Sequence, residues 1–249
     1  MANIPISIII LYMHRDPSLM PDNYDPNMTN DLVNSIVENT DNYELIAVDN
    51  GSTTNESWLT YVDKYYRFPK NEGISNGWNK GIEMASHEHI VILGDDTIVP
   101  PNWKEEMLKA MNMSDAGMAT VHVEGMPYGE GIKEALPFPG ACFMLTKKTV
   151  EKVGYFDWQT YWPCNYEDVD YQARVLAHGM KIYTNYAVTV QHRQGATLHV
   201  KELSDPFEEM GERFIKKHHF NAQDYFYRGK DIKEVLHLVD KTPIPIKKF

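Results

Sequence analysis

HIVILGDD (residues 89–96) is an apolar, β-branched run that ends on Gly94 and two adjacent carboxylates, Asp95 and Asp96. Such a run is expected of a strand buried on both faces of a parallel sheet. ISIIIL (6–11) and ELIAVD (44–49) read the same way. Between them, DLVNSIVENT (31–40) places apolar residues at 32, 33, 36 and 37, the spacing of a helix. ESWLTYVDKYY (56–66) and the later part of NEGISNGWNKGIEMA (71–85) predict two more helices. PPNWKEEMLKAMN (100–112) opens a fourth with proline, where a missing N–H is tolerated. Strands alternating with helices specify a doubly wound α/β sheet, whose ligands bind beyond the carboxyl ends of the strands. Those ends carry Tyr12–Arg15, Asp49–Ser52 and Gly94–Thr97, which are expected to converge on one site.

The second half reads as strands AGMATVHV (116–123), ACFMLT (141–146), KIYTN (181–185) and AVTVQH (187–192). MPYGEGIKEALPFPG (126–140) is a loop punctuated by Gly and Pro, and KKTVEKVG and DVDYQARVLAHG (168–179) are helical. The chain is expected to form one α/β domain over 1–203, with a helical extension over 204–249 that ends in a mobile KTPIPIKKF.

Composition narrows the partners. The chain has 249 residues, 43% of them hydrophobic and 24% charged, which is a globular balance. With 24 Lys+Arg against 35 Asp+Glu the formal charge is −11, which disfavours nucleic acid and anionic membrane as main partners. The two cysteines, Cys142 and Cys164, are expected to be free thiols, and no Cys/His spacing suggests zinc. ISIIILYM is too short to span a membrane and lacks a signal peptide's basic flank, so a cytoplasmic protein without a transmembrane segment is expected.

Four clusters could carry chemistry. Asp95 and Asp96, at a strand end, suit Mg²⁺ or Mn²⁺ on a diphosphate, and equally a solvated turn before the next helix. Asp49 leads into NGS and reads as an Asx-type turn, or as an acceptor for a base or ribose. NEGISNGWNKG offers glycines for close backbone approach and asparagines for a polar ligand, without a dinucleotide or P-loop pattern. In NYEDVDY (165–171), Asn165 and Asp168 fit a helix cap, while the helix dipole would also keep Asp168 ionised as a general base. Asp170 lies about 200° round the helix from Asp168 and faces elsewhere. His192, after a strand, is a credible nitrogen ligand beside a carboxylate-bound metal.

Taken in order, AVDNGSTTN, KNEGISNGWNKGIEMA, HIVILGDDTIVPPNW, PGACFMLTKKTVEKVGYFD, YEDVDYQARVLAHG and the strand ending at His192 resemble the family 2 glycosyltransferases, especially the rhamnosyltransferase-like branch. The resemblance runs from about residue 5 to about 200. It implies the GT-A fold, a Rossmann-like domain with a mostly parallel sheet, and an inverting transfer of sugar from a nucleoside-diphosphate donor of UDP, dTDP or GDP type. The acceptor would be an unidentified hydroxyl, expected on a glycan, and the cofactor Mn²⁺ or Mg²⁺. It implies that Asp49 meets the nucleotide base, that Gly73, Asn76 and Asn79 line the donor site, and that Asp95 lies near the ribose. Asp96 would bind the metal with His192, Asp168 would be the base, and Glu167 would orient or bind acceptor. Tyr12 and Arg15 stand where the family commonly carries a Pro-Thr-Tyr-Asn-Arg-like sequence at the nucleotide, and Gly94 replaces the first carboxylate of the D-x-D region. The readings set against this are a sugar-nucleotide-binding protein without catalysis and a nucleotidyltransferase.

Overall fold

The computed structural model describes residues 4–14, 25–134, 140–193 and 206–249, so Arg15 and the boundary expected at 203–204 lie outside the described residues. Strands β1 (Ile6–Tyr12), β2 (Tyr43–Asp49), β3 (Lys64–Arg67) and β4 (His89–Gly94) pair in parallel in the order β3-β2-β1-β4. Beyond β4 come β8 (Cys142–Thr146), antiparallel, then β6 (Ala116–Val123) and β9 (Lys181–His192), which are parallel to each other. The short β5 (Thr97–Ile98) and β7 (Ile132–Glu134) run antiparallel to β9. Six of the nine strands among the described residues therefore point the same way, as expected of a mostly parallel α/β sheet.

Strand alternation sends successive residues of β1 to opposite faces. Ile6, Ile8, Ile10 and Tyr12 join one core with helices α1 (Met28–Asn39) and α3 (Trp103–Met111). Ile9 joins the other, with α2 (Ile74–Met84), α4 (Lys147–Val153), α5 (Glu167–Ala177) and α6 (Phe207–His218). Helix α2 lies close on β1 because two of its residues have no Cβ. A Cβ on Gly77 would sit 2.2 Å from Leu11 Cδ1, and one on Gly81 2.4 Å from Ile9 Cγ2.

Several local expectations give way to tertiary pairing. The helix expected over 56–66 is a single 3-10 turn (Ser57–Tyr61) followed by β3, where Lys64–Arg67 finds the open edge of β2. The two strands expected over 181–192 are one, with a bulge where the partners of Val121 and His122 jump from Asn185 to Thr189. The loop over 126–140 contains β7. KTPIPIKKF, expected to be mobile, is docked: Ile244 bridges to Gly154, Lys247 pairs with Glu72 at 2.8 Å, and the Phe249 ring lies 4.7 Å from Phe68. Both cysteines are buried free thiols, and no helix among the described residues is long and apolar enough to cross a membrane.

The extension is tied to α5 by charge. Asp170 of α5 is fully buried and accepts from Arg174 Nε at 2.8 Å, Lys217 Nζ at 2.6 Å and His218 Nε2 at 2.8 Å. Burial alone would raise its pKa, but Arg174, Lys217 and His218 hold it far below the usual carboxylate range. Removing one partner of such a pair leaves buried cations uncompensated, so Asp170→Ala should cost about 3–5 kcal/mol of folding stability. Urea denaturation measures this, and a loss below about 1 kcal/mol, the level of a surface pair, would show that the cluster does not hold the extension.

Candidate active site

Register aligns the strand ends. Tyr12 stands opposite Asp49, and Leu11 opposite Gly94. Their carboxyl ends open into a cleft of about 350 Å³ lined by Leu11–Met13, Asn50, Leu93–Asp96, Glu167, Asp168 and His192, among others. Tyr12, Asp95, Asp96, Glu167, Asp168 and His192, all expected from sequence, thus share one cavity.

At one end, pairing of Thr97 with His192 brings the β9 terminus beside the GDD turn, and His192 Nε2 lies 3.4 Å from Asp96 Oδ1. Thr97 Oγ1 closes the turn by donating to the Gly94 carbonyl at 2.7 Å. Glycine at 94 has a local cause: a Cβ there would come within 3.0 Å of Asp96 Oδ1. Among the described residues no three His, Cys, Asp or Glu side chains gather into a metal cage. Asp96 and His192 nevertheless fit a hard divalent cation, which is normally held by one or two protein ligands, with substrate phosphates and water completing the shell.

At the other end the chain enters α5 through two non-glycine residues in the left-handed region, Asn165 (φ 75°) and Tyr166 (φ 68°). Such conformations are sparsely populated and persist only where packing over-determines them. The Tyr166 ring packs 5.2 Å from Phe207, and its hydroxyl accepts from Gln223 Nε2 at 3.1 Å. This entry places Glu167 and Asp168 on the cleft. Burial pushes both carboxyls up in pKa; the Asp168 charge pushes Glu167 further, to well above its usual range. Asp168 is partly relieved by N–H groups of Val169 (2.8 Å to Oδ1), its own residue and Gly140. Glu167 is only 5% exposed, and its Oε2 has no hydrogen-bond partner. The pair can therefore present one carboxylate and one carboxylic acid, with Asp168 the first to ionise.

Asp49, Gly73, Asn76 and Asn79 stand behind the cleft wall. The buried Asp49 carboxylate receives Tyr12 and Tyr65 hydroxyls (3.2 and 3.1 Å), the Arg67 Nε (2.9 Å) and the Ser52 N–H (2.7 Å). Asn79 clamps both backbone groups of Phe156 at 2.9 Å. Asn76 donates to the Glu72 carbonyl at 2.7 Å, and Gly73 (φ 87°) starts α2. Sequence reading missed Asn71, Trp78, Phe207, Gln223 and Tyr227, which also line the cleft. The last three come from the extension, and no spacing rule ties them to the strand ends.

A family model described as "Glycosyl transferase family 2" matches residues 23–165. No curated protein matches the chain significantly. Among solved structures, one of GalNAc-T7 with UDP, GalNAc and Mn2+ superposes with a TM-score of 0.69 at 16% identity, covering 95% of this chain and 54% of that one. A structure of S. aureus TarS 1-349 superposes with a TM-score of 0.63 at 12% identity, covering 90% and 73% respectively. The chain thus has the GT-A fold of these proteins and spans about half the length of the GalNAc-T7 chain.

Because Asp49 is committed to groups of the protein, Asp49→Asn should lower the stability of the ligand-free protein by about 1–3 kcal/mol. An unchanged urea midpoint without nucleotide would show that this carboxylate is idle until a ligand arrives.

Proposed function

The chain belongs to glycosyl transferase family 2, and we propose that it transfers a sugar from a nucleoside-diphosphate donor to an acceptor hydroxyl, with inversion at the anomeric carbon. The observation that carries this reading is one cleft with a cation-binding pair, Asp96 and His192, and a carboxylate–carboxylic acid pair, Asp168 and Glu167. The neighbour solved with UDP, GalNAc and Mn2+ supports a nucleotide-sugar donor and a divalent cation for this chain. Its landmarks resemble the rhamnosyltransferase-like branch, so dTDP- and GDP-linked sugars belong beside UDP-sugars in a donor panel.

Asp168 Oδ takes the proton of the acceptor hydroxyl as that oxygen attacks the anomeric carbon from the face opposite the diphosphate. The bond to the diphosphate oxygen breaks, releasing nucleoside diphosphate. Asp96 and His192 would hold Mn²⁺ or Mg²⁺, with Asp95 beside them; the chemistry a bound cation supplies is neutralisation of charge on the departing diphosphate. Glu167, held towards its protonated form by burial and by the Asp168 charge, would have a hydrogen bond to offer a bound ligand instead of competing for the acceptor proton.

Loss of a positioned base typically costs about 10²–10⁴-fold in rate. Asp168→Asn should therefore lose kcat by that factor while nucleoside diphosphate with Mn²⁺ still stabilises it in a thermal melt. Near-full turnover would remove Asp168 from the chemistry. The sign of the pH effect follows from the raised pKa: Asp168 is competent only when deprotonated, so activity must fall as pH drops through a value above the ordinary aspartate range of about 4. An acid limb of kcat/KM at or below about 4 would contradict the raised carboxyl.

A further inference from the structure

We propose that residues 243–249 form a strap that positions the Asn50–Asn71 wall of the cleft for nucleotide binding, with Lys247 as a positioning residue acting through Glu72; this rests on the transferase reading above. The strap lies outside the segment matched by the family model, which ends at residue 165. It runs along the connection between α4 and α5. Ile244 bridges to Gly154, and its carbonyl accepts from the Tyr155 N–H at 3.0 Å. The Pro245 carbonyl accepts from Trp158 Nε1 at 3.1 Å. The approach is close enough to require glycine, because a Cβ on Gly154 (φ 87°) would lie 2.6 Å from the Ile244 nitrogen. The strap then reaches the residues before α2, where the Phe249 ring lies 4.7 Å from Phe68.

Lys247 is held from three sides. Its Nζ lies 2.8 Å from Glu72 Oε2, 4.7 Å from the centre of the Phe249 ring and 5.2 Å from that of Trp158. Aromatic faces attract a cation, so the two rings help hold the ammonium group that Glu72 meets. Glu72 is the junction between strap and cleft. Its N–H donates to Asn50 Oδ1 at 2.8 Å, and Asn50 Nδ2 donates to Asn71 Oδ1 at 3.0 Å. The same Asn71 oxygen accepts the Gly73 N–H at 2.8 Å. Asn50 and Asn71 both line the cleft, beside the strand end that the transferase reading gives to the nucleotide. Their two turns are pressed together: a Cβ on Gly51 (φ 84°) would come within 2.5 Å of the Lys70 carbonyl carbon.

The strap therefore fixes the Glu72 side chain, and the Glu72 backbone fixes the two cleft-lining amides. Without Lys247 those amides must be ordered when the nucleotide binds, and the ordering cost weakens binding. The pair is partly exposed, at 31% for Lys247 and 14% for Glu72, so its contribution to global stability is small. Binding and stability thus separate the positioning role from a merely structural one.

The test titrates the full chain calorimetrically with UDP, dTDP and GDP, each with Mn²⁺, and carries the tightest binder of the wild-type protein over to the variants. Lys247→Ala should weaken that binding by about two- to ten-fold, the scale of ordering one side chain. The ligand-free Tm should move by less than about 4 °C. Lys247→Arg keeps the charge and the ring contacts and should restore most of the affinity. Glu72→Gln should weaken binding as Lys247→Ala does, and the double variant no further, because both act through one contact. Unchanged binding in Lys247→Ala, with or without a lowered Tm, would reduce the strap to a structural brace. Tighter binding in Glu72→Gln would show that Lys247 acts only as a distant positive charge, and additive losses in the double variant would break the link through Glu72. Each of these outcomes overturns the positioning role and leaves the donor reading standing. If none of the three nucleotides binds the wild-type protein, the transferase reading itself fails, and the role of the strap with it.

Discussion

The buried cluster centred on Asp170 fixes where the cleft carboxyls Glu167 and Asp168 stand. Asp170 and Asp157 supply two negative charges, and Arg174 and Lys217 two positive ones. His218 adds none: its Nδ1 accepts from the Asp240 N–H at 3.1 Å, so the ring proton sits on Nε2 and is donated to Asp170. The cluster is therefore balanced and densely hydrogen-bonded, the condition under which buried charge is tolerated. Arg174 also donates to the carbonyls of Val153 and Tyr155 at 3.0 Å, locking α5 to the end of α4, while Lys217 and His218 lock it to α6. The N-terminus of α5 carries Glu167 and Asp168, so a cluster on its hidden side holds its working side in register.

That rigidity explains how two unfavourable features coexist at the α5 entry. Asn165 and Tyr166 both occupy the left-handed region, and a buried Glu167 and a half-buried Asp168 stand side by side immediately afterwards. Neither would survive in a loose helix, which could unwind a turn to relax the backbone and hydrate the acids. Held in place, the two carboxyls are separated in proton affinity. Three backbone N–H groups favour the Asp168 carboxylate, whereas Glu167 has only its own, so their proton affinities diverge although they are neighbours.

Much of this was legible in the sequence because it depends on local periodicity and one topological rule. Continuous apolar runs gave β1, β2 and β4, and the rule that ligands meet strand carboxyl ends placed Tyr12, Asp95 and Asp96 in a common cleft. His192 followed from its position at the end of β9. What was not legible depends on side-chain direction or distant pairing. Asp49 is at a strand end, but its carboxylate turns to Tyr12, Tyr65, Arg67 and Ser52, and nothing local specifies that. Residues 56–66 carry a helical spacing, yet Lys64–Arg67 becomes a strand because β2 offers an open edge. Phe207, Gln223 and Tyr227 have no periodic signature at all; they reach the cleft only because Asp170 pins α6 to α5.

The two walls of the cleft are therefore constrained differently. The strand-end wall is set by register, and a one-residue slip of β1 or β4 would turn every core side chain to the wrong face. It can change little without unfolding the sheet. The far wall is set by aromatic packing of Tyr166 with Phe207 and Phe214 and by the Gln223 Nε2 hydrogen bond to Tyr166, with Phe207 and Tyr227 about half exposed. Exchanging those exposed rings alters the cleft's mouth at a stability cost far below that of a core change. A scaffold that anchors Glu167 and Asp168 through Asp170, on the side away from the mouth, can change the mouth without moving those carboxyls.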